Sequence, residues 1–118
     1  MIENRKKYLK ILRIEIEDLQ DDIGGLIAEC KKEVETGILS NYVFLQNLTI
    51  FKKELLSLGV FFKILDSIDT EQYESLDDMI DFIRTSFSEK IKEYDLIQAI
   101  NVYVERKLIK VKKYVLHE

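Results

Sequence analysis

The sequence predicts an all-α protein, an elongated up-down-up three-helix bundle with coiled-coil-like heptad packing. Three stretches place apolar residues in alternating steps of three and four, and together they cover most of the 118 residues. A repeat of 3.5 residues on helices that turn every 3.6 residues makes neighbouring helices supercoil. The chain contains no proline, the residue that most often breaks a helix. We therefore predict one helical domain over residues 1–118.

The first predicted helix covers about residues 3–36. Its apolar seam runs from Leu9 to Cys30 in steps of three and four, and Gly37 provides a C-terminal stop. Gly24 and Gly25 lie inside it, and each costs about 1 kcal/mol of helix stability relative to alanine. We expect a soft spot or slight bend there; the alternative is a site where another backbone approaches closely.

The second predicted helix covers about residues 41–68 and begins after Ser40 or Asn41, either of which can cap it. Apolar residues lie on most sides of this helix in addition to its seam. A helix of this kind must be covered on most sides. We therefore expect it to be the central helix, packed by the other two helices, by a second chain or by both. The seam consists of Phe44, Leu48, Phe51, Leu55, Leu58, Phe62 and Leu65.

The third predicted helix covers about residues 75–116, with Ser75 and Asp78 in a capping arrangement. Its apolar repeat keeps one frame throughout, with only Lys90 and Asn101 polar, and no glycine or proline marks a boundary inside it. These features favour one long helix. The alternative is a four-helix bundle in which this helix breaks near Tyr94 and Asp95 and a new helix is capped by Asp95 and Gln98.

Composition limits the compartment and the classes of partner. The net charge of −4 argues against a general nucleic-acid binder. The single cysteine, Cys30, cannot form an internal disulfide, so we interpret it as a core residue in a reducing compartment. Acidic residues interrupt the basic N-terminal stretch, and the longest hydrophobic passage, Leu55 to Leu65, is far shorter than a membrane span. We expect a cytoplasmic protein.

Two acidic pairs are the only pattern that suggests catalysis. Glu15/Asp18 and Glu74/Asp77 are spaced like the pairs with which small all-α nucleotide pyrophosphohydrolases bind Mg²⁺. A Mg-dependent enzyme of this type is therefore an alternative. In an up-down-up bundle, however, Asp18 lies ~20 Å along the axis from Asp78, too far for both to hold one ion. We predict no catalytic residue, no metal site, no cofactor and no small-molecule ligand.

The C-terminal part of the third helix is the predicted interaction surface. If straight, this helix extends beyond the second by nearly 20 Å, which leaves apolar residues without cover in one chain. A lone asparagine in an apolar seam specifies register and partner. We therefore predict a non-catalytic interaction module, such as an adaptor, regulatory subunit or chaperone-like protein, that forms a homodimer or binds a partner helix. The predicted interface comprises Asn101, Tyr103, Val104, Leu108, Val111, Tyr114 and Val115.

A second alternative uses the basic residues of the same segment. They are interleaved with Tyr103 and Tyr114 and suit an anionic partner such as a nucleic acid or a membrane surface. The acidic balance of the whole chain argues against nucleic acid, and the even mixture of leucine, valine and lysine around the helix argues against a membrane. The basic residues are Arg106, Lys107, Lys110, Lys112 and Lys113.

Overall fold

The computed structural model describes residues 2–117, with side chains from Glu3 onward. No β-strand occurs in these residues, so the all-α prediction is confirmed. Met1 and Glu118, the first and last residues of the predicted domain, lie outside the described residues. The elements are α1 (Ile2–Glu35), α2 (Asn41–Asp66), a 3₁₀ turn (Thr70–Gln72), α3 (Leu76–Glu93) and α4 (Ala99–His117).

The first two helices lie within two residues of their predicted bounds. The Ser40 side chain caps α2 by accepting a hydrogen bond from the Val43 N–H at 3.2 Å. Gly37 follows α1 with φ 81, a conformation that costs glycine little because it has no Cβ. α1 continues through Gly24 and Gly25, and no atom lies within 4 Å of a Cβ built at either glycine. No backbone of the described chain therefore makes the close approach that was the alternative.

The prediction of one helix over residues 75–116 is wrong, and the four-helix alternative fits the structure. After α3 the chain turns back through five residues, 94–98, and forms α4. The Leu96 N–H donates to the Ile91 carbonyl at 2.9 Å and the Asp95 N–H to the Lys92 carbonyl at 3.3 Å. This pair of hydrogen bonds is the Schellman motif that ends many helices.

Asp95 makes this turn possible by adopting φ 51, the left-handed conformation that usually requires glycine. Aspartate tolerates this conformation better than most residues do. The apolar repeat keeps its frame across the turn in the sequence, but its positions nearest the turn, Lys90, Tyr94, Ile97 and Asn101, are not buried. Ile91, Leu96 and Ile100 enter the core there instead. A repeat that keeps its frame therefore does not show that the helix is continuous.

All buried side chains of the described residues belong to residues 5–23 and 57–115, which we call the body. In the body the N-terminal half of α1 and the C-terminal half of α2 pack with α3 and α4. Phe61 of α2 and Phe87 of α3 meet edge to face, with ring centroids 5.0 Å apart. The core consists of Tyr8, Leu12, Ile16, Ile23, Leu58, Phe61, Ile64, Leu65, Met79, Ile80, Ile83, Phe87, Ile91, Leu96, Ile100, Val104, Leu108, Val111 and Val115.

Polar contacts place the start of α1 beside the loop between α2 and α3. Arg5 is buried and donates from Nε to the Thr70 carbonyl at 3.1 Å and from Nη1 to the Glu74 carbonyl at 3.3 Å. Arg13 forms an ion pair with Asp66. The basic start of the chain therefore lies beside its acidic middle segment, as expected for antiparallel neighbouring helices.

The rest of α1 and α2 forms a two-helix hairpin, residues 24–56, which we call the arm. None of its side chains is buried. α1 has 34 residues, or about 51 Å, and the molecule measures 54 × 32 × 19 Å, so α1 spans nearly its whole length. The tip of the arm, Thr36 to Phe51, has no charged residue. Even so, no helix in the described residues is long and apolar enough to cross a bilayer.

Candidate interaction surface

One face of α2 is buried in the body and becomes exposed in the arm. Phe61, Ser57, Ile50 and Val43 follow one another in steps of four and seven and therefore lie on one side of the helix. Phe61 and Ser57 are fully buried, whereas Ile50 is 48% and Val43 36% exposed. Ile50 and Val43 thus repeat the pattern of the core without being covered.

The seam of α1 changes in the same way at the same level. Leu12, Ile16 and Ile23 are buried, but Leu26, the next residue on the seam, is 51% exposed. The cause is the short α3–α4 hairpin, which reverses after Glu93 and leaves the arm with two helices where the body has four. We call the side of the arm with Leu26, Val43 and Ile50 the inner face.

A second apolar stripe follows α2 on another side. Tyr42, Leu45, Thr49, Leu56 and Val60 are spaced by three, four, seven and four residues, which places them on one face of the helix. We call this stripe the outer face. The most exposed large hydrophobic side chains of the described residues are those of Ile38 at 76%, Tyr42 at 71%, Leu56 at 60% and Leu45 at 59%. Three of these four lie on the outer face.

The outer face leads into an open groove of about 600 Å³ between α2 and the end of α3. Lys90 Nζ lies 5.3 Å from the ring centroid of Tyr94 and donates to a Glu93 carboxylate oxygen at 3.2 Å. The hydrogen bond with Glu93 raises the pKa of Lys90. The groove is lined by Leu56, Val60, Lys63, Ile64, Ser67, Lys90, Tyr94 and Leu96, a set with two lysines and no carboxylate.

The charges of α2 are divided between its faces. Lys63 lies seven residues after Leu56, and Lys52 lies seven after Leu45, so both continue the outer face. The two acidic residues of α2 lie elsewhere: Glu54 falls between Ser57 and Ile50 on the inner face, and Asp66 pairs with Arg13. Partial burial raises the pKa of Glu54. The outer face is therefore apolar and positively charged, although the whole protein is acidic.

The structure gathers the seven predicted interface residues on α4, but most of them face their own chain. Val104, Leu108, Val111 and Val115 are buried in the body, and the Asn101 side chain donates to Ser88 Oγ at 3.3 Å. Tyr103 and Tyr114 are exposed. The overhang that motivated this prediction is absent, because the chain folds back before α4. Exposed apolar side chains remain on the outside of α4, where Val102, Ile109 and Leu116 are about half exposed, and on the arm, where no side chain is buried.

The arm was not predicted from the sequence, although one sequence feature indicates it. α2 is apolar on most sides, which indicates a helix that needs more cover than two neighbours give. The uncharged tip from Thr36 to Phe51 is a second signal of the same kind. What the sequence did not provide was the position at which α3 ends, and this position decides which part of α2 stays uncovered.

The basic residues of α4 are largely paired within the fold. Lys107 and Lys110 lie 3.3 and 2.5 Å from Glu15 Oε1, and Lys112 lies 2.6 Å from Asp77 Oδ1. The hydrogen bond from Lys110, helped by that from Lys107, lowers the pKa of Glu15. Three of the five basic residues proposed to meet an anionic partner thus already have carboxylate neighbours, which weakens the case for that surface.

The two acidic pairs take part in these same ion pairs with α4. Glu15 and Asp77, one member of each pair, form ion pairs with lysines of α4. Among the histidine, cysteine, aspartate and glutamate residues of the described chain, no group of three or more is placed to hold a metal ion. Glu15 and Asp77 are therefore structural partners of α4.

The chain was compared with protein families, curated proteins and solved structures. No protein-family model matches the chain, and neither curated proteins nor solved structures give a significant match.

Proposed function

We propose that the protein is a non-catalytic helical interaction module, of the adaptor, regulatory-subunit or chaperone-like class, that binds another protein chain through its arm. One observation carries the proposal: residues 24–56 contain no buried side chain, although about half of them are apolar. Large exposed apolar patches on soluble proteins mark interaction sites. Burying one large apolar side chain fully contributes about 1.5–3 kcal/mol, so covering several yields a stable contact.

A second copy of the chain fits the inner face. Two helices are missing there relative to the body, and the arm of another protomer supplies two helices with apolar seams. Two hairpins packed by their apolar faces form a four-helix bundle, and a two-fold axis lets each protomer present the same patch. The contact would bury Leu26, Val43 and Ile50 of both protomers.

The charge of the arm supports a second copy of the chain as the partner at the inner face. Residues 24–56 carry four lysines and four glutamates, so the arm is neutral while the whole chain has a net charge of −4. Two identical arms therefore meet without net repulsion, and opposite charges are available to pair across the contact. We accordingly propose a homodimer whose interface lies at the arm.

Light scattering of the full chain from low micromolar to several hundred micromolar tests the proposal. We expect a monomer–dimer equilibrium. Leu26→Lys should raise the dissociation constant of the dimer at least tenfold. Ile14→Lys is the matched control, because Ile14 lies on the same helix and is 53% exposed against 51% for Leu26, but outside the arm. A chain that stays monomeric throughout, or an equal effect of both variants, contradicts the proposed dimer.

A further inference from the structure

The outer face of α2 and the groove at its end form a surface that the proposed dimer leaves free. The inner and outer faces lie on different sides of α2, so a second arm packed on Ile50 and Val43 does not cover Leu45 and Leu56. From Tyr42 to Val60 the stripe is about 27 Å long, which corresponds to about five turns of a helix packed alongside.

The shape of this surface favours a helix over a flat surface such as a bilayer. The groove is concave, because α2 forms one wall and Lys90, Tyr94 and Leu96 form the other. A partner helix projects side chains that fill such a groove, in the manner of other helix-in-groove contacts. Its volume of about 600 Å³ accommodates several large apolar side chains.

The charges define the chemistry of the partner. Lys52 and Lys63 lie along the outer face, Lys90 lies across the groove, and the groove has no carboxylate in its lining. Glu93 compensates Lys90 in part, so Lys63 is the principal cation in the groove. Carboxylates of a partner next to these ammonium groups gain favourable interactions, whereas partner lysines are repelled.

We propose that the outer face of α2 and its groove bind an amphipathic helix of a partner protein whose apolar seam is flanked by glutamate or aspartate. This inference rests on the proposed role as an interaction module but does not require the dimer. A second copy does not fit here, since two outer faces packed together would bring Lys52 and Lys63 close to the same lysines.

The test uses a designed helical peptide of about five turns with a leucine seam flanked by glutamates, and a matched peptide with lysines in place of the glutamates. Titration calorimetry with the full chain is expected to give at least tenfold tighter binding of the glutamate peptide. Lys63→Glu should lower this preference at least tenfold, and Lys6→Glu, an exposed site on α1, should leave it unchanged. Leu56→Asn should weaken the binding of both peptides.

Three results overturn the inference: equal binding of the two peptides, no binding of either, or a preference that Lys63→Glu leaves unaltered. Vesicles with anionic lipid provide the remaining comparison. If the protein binds them through Lys63 and Leu56 but does not bind the glutamate peptide, the surface recognises a membrane and the inference is wrong. Light scattering tests the dimer independently of peptide binding, so a negative result for one proposal does not contradict the other.

Discussion

The Tyr8 hydroxyl donates a hydrogen bond to the carbonyl oxygen of Leu108 at 3.0 Å, joining the first helix to the last. Tyr8 is fully buried, and burial raises the pKa of its hydroxyl, so the group stays protonated and acts as a donor. Because an unsatisfied hydroxyl in the core is costly, this contact fixes where α4 lies along α1.

Removing this hydroxyl should weaken the fold without changing its shape. Tyr8→Phe keeps the ring in the core but leaves the Leu108 carbonyl without that donor. We expect the free energy of unfolding to fall by about 1 kcal/mol in urea titrations. Tyr114→Phe, at an exposed site on α4, should change it little. Equal stability of Tyr8→Phe and the unmodified chain would contradict the role given to this hydrogen bond.

The ion pairs of Glu15 should make stability depend on pH. The pKa of Glu15 is lowered in the folded state, so its contribution is present above the unfolded value of about 4.5 and is lost as the pH falls through the folded value. Glu15→Gln should therefore cost about 1 kcal/mol at neutral pH and progressively less in acid. Exposed Glu17→Gln is the control for urea titrations. A cost that stays constant down to strongly acidic pH would rule out this linkage.

The effect of Glu54 on stability should have the opposite pH dependence. Burial raises its pKa in the folded state, so its ionised form disfavours folding at neutral pH, and this penalty disappears as the pH falls below the unfolded value. Glu54→Gln should raise the thermal midpoint at neutral pH, and the gain should vanish in acid. Scans at low micromolar concentration keep the effect separate from dimerisation. A lower midpoint at neutral pH would refute the assignment.

Glycine at position 95 should make the turn between α3 and α4 more stable. Asp95 has φ 51, where a side chain adds strain, so Asp95→Gly should stabilise the protein by about 0.5–1 kcal/mol. Asp95→Val should destabilise it by more than that, because β-branched residues avoid this conformation. Urea titrations of both variants measure the difference. The account of the turn fails if valine is tolerated as well as glycine.

Heptad spacing predicts α1 and α2 well, because each is one uninterrupted helix with a capping residue or a glycine at an end. It does not separate α3 from α4, because Asp95 replaces the expected glycine at the turn and the spacing of apolar residues keeps one frame across it. The choice of the α4 seam as the interface followed from the prediction of one continuous helix. A continuous helix would run alongside the arm and leave Val111 and Val115 uncovered beyond its tip, whereas the folded hairpin buries these two valines in the body and leaves Leu26 and Ile50 exposed.

Amide hydrogen exchange at several protein concentrations tests most directly whether the arm is an unpartnered hairpin that a second chain covers. In dilute solution we expect residues 24–56 to exchange faster than the body, because a two-helix hairpin with no buried side chain opens easily. Protection of the arm should then rise with concentration while that of the body stays constant. Protection of the arm that equals that of the body at every concentration would contradict the account.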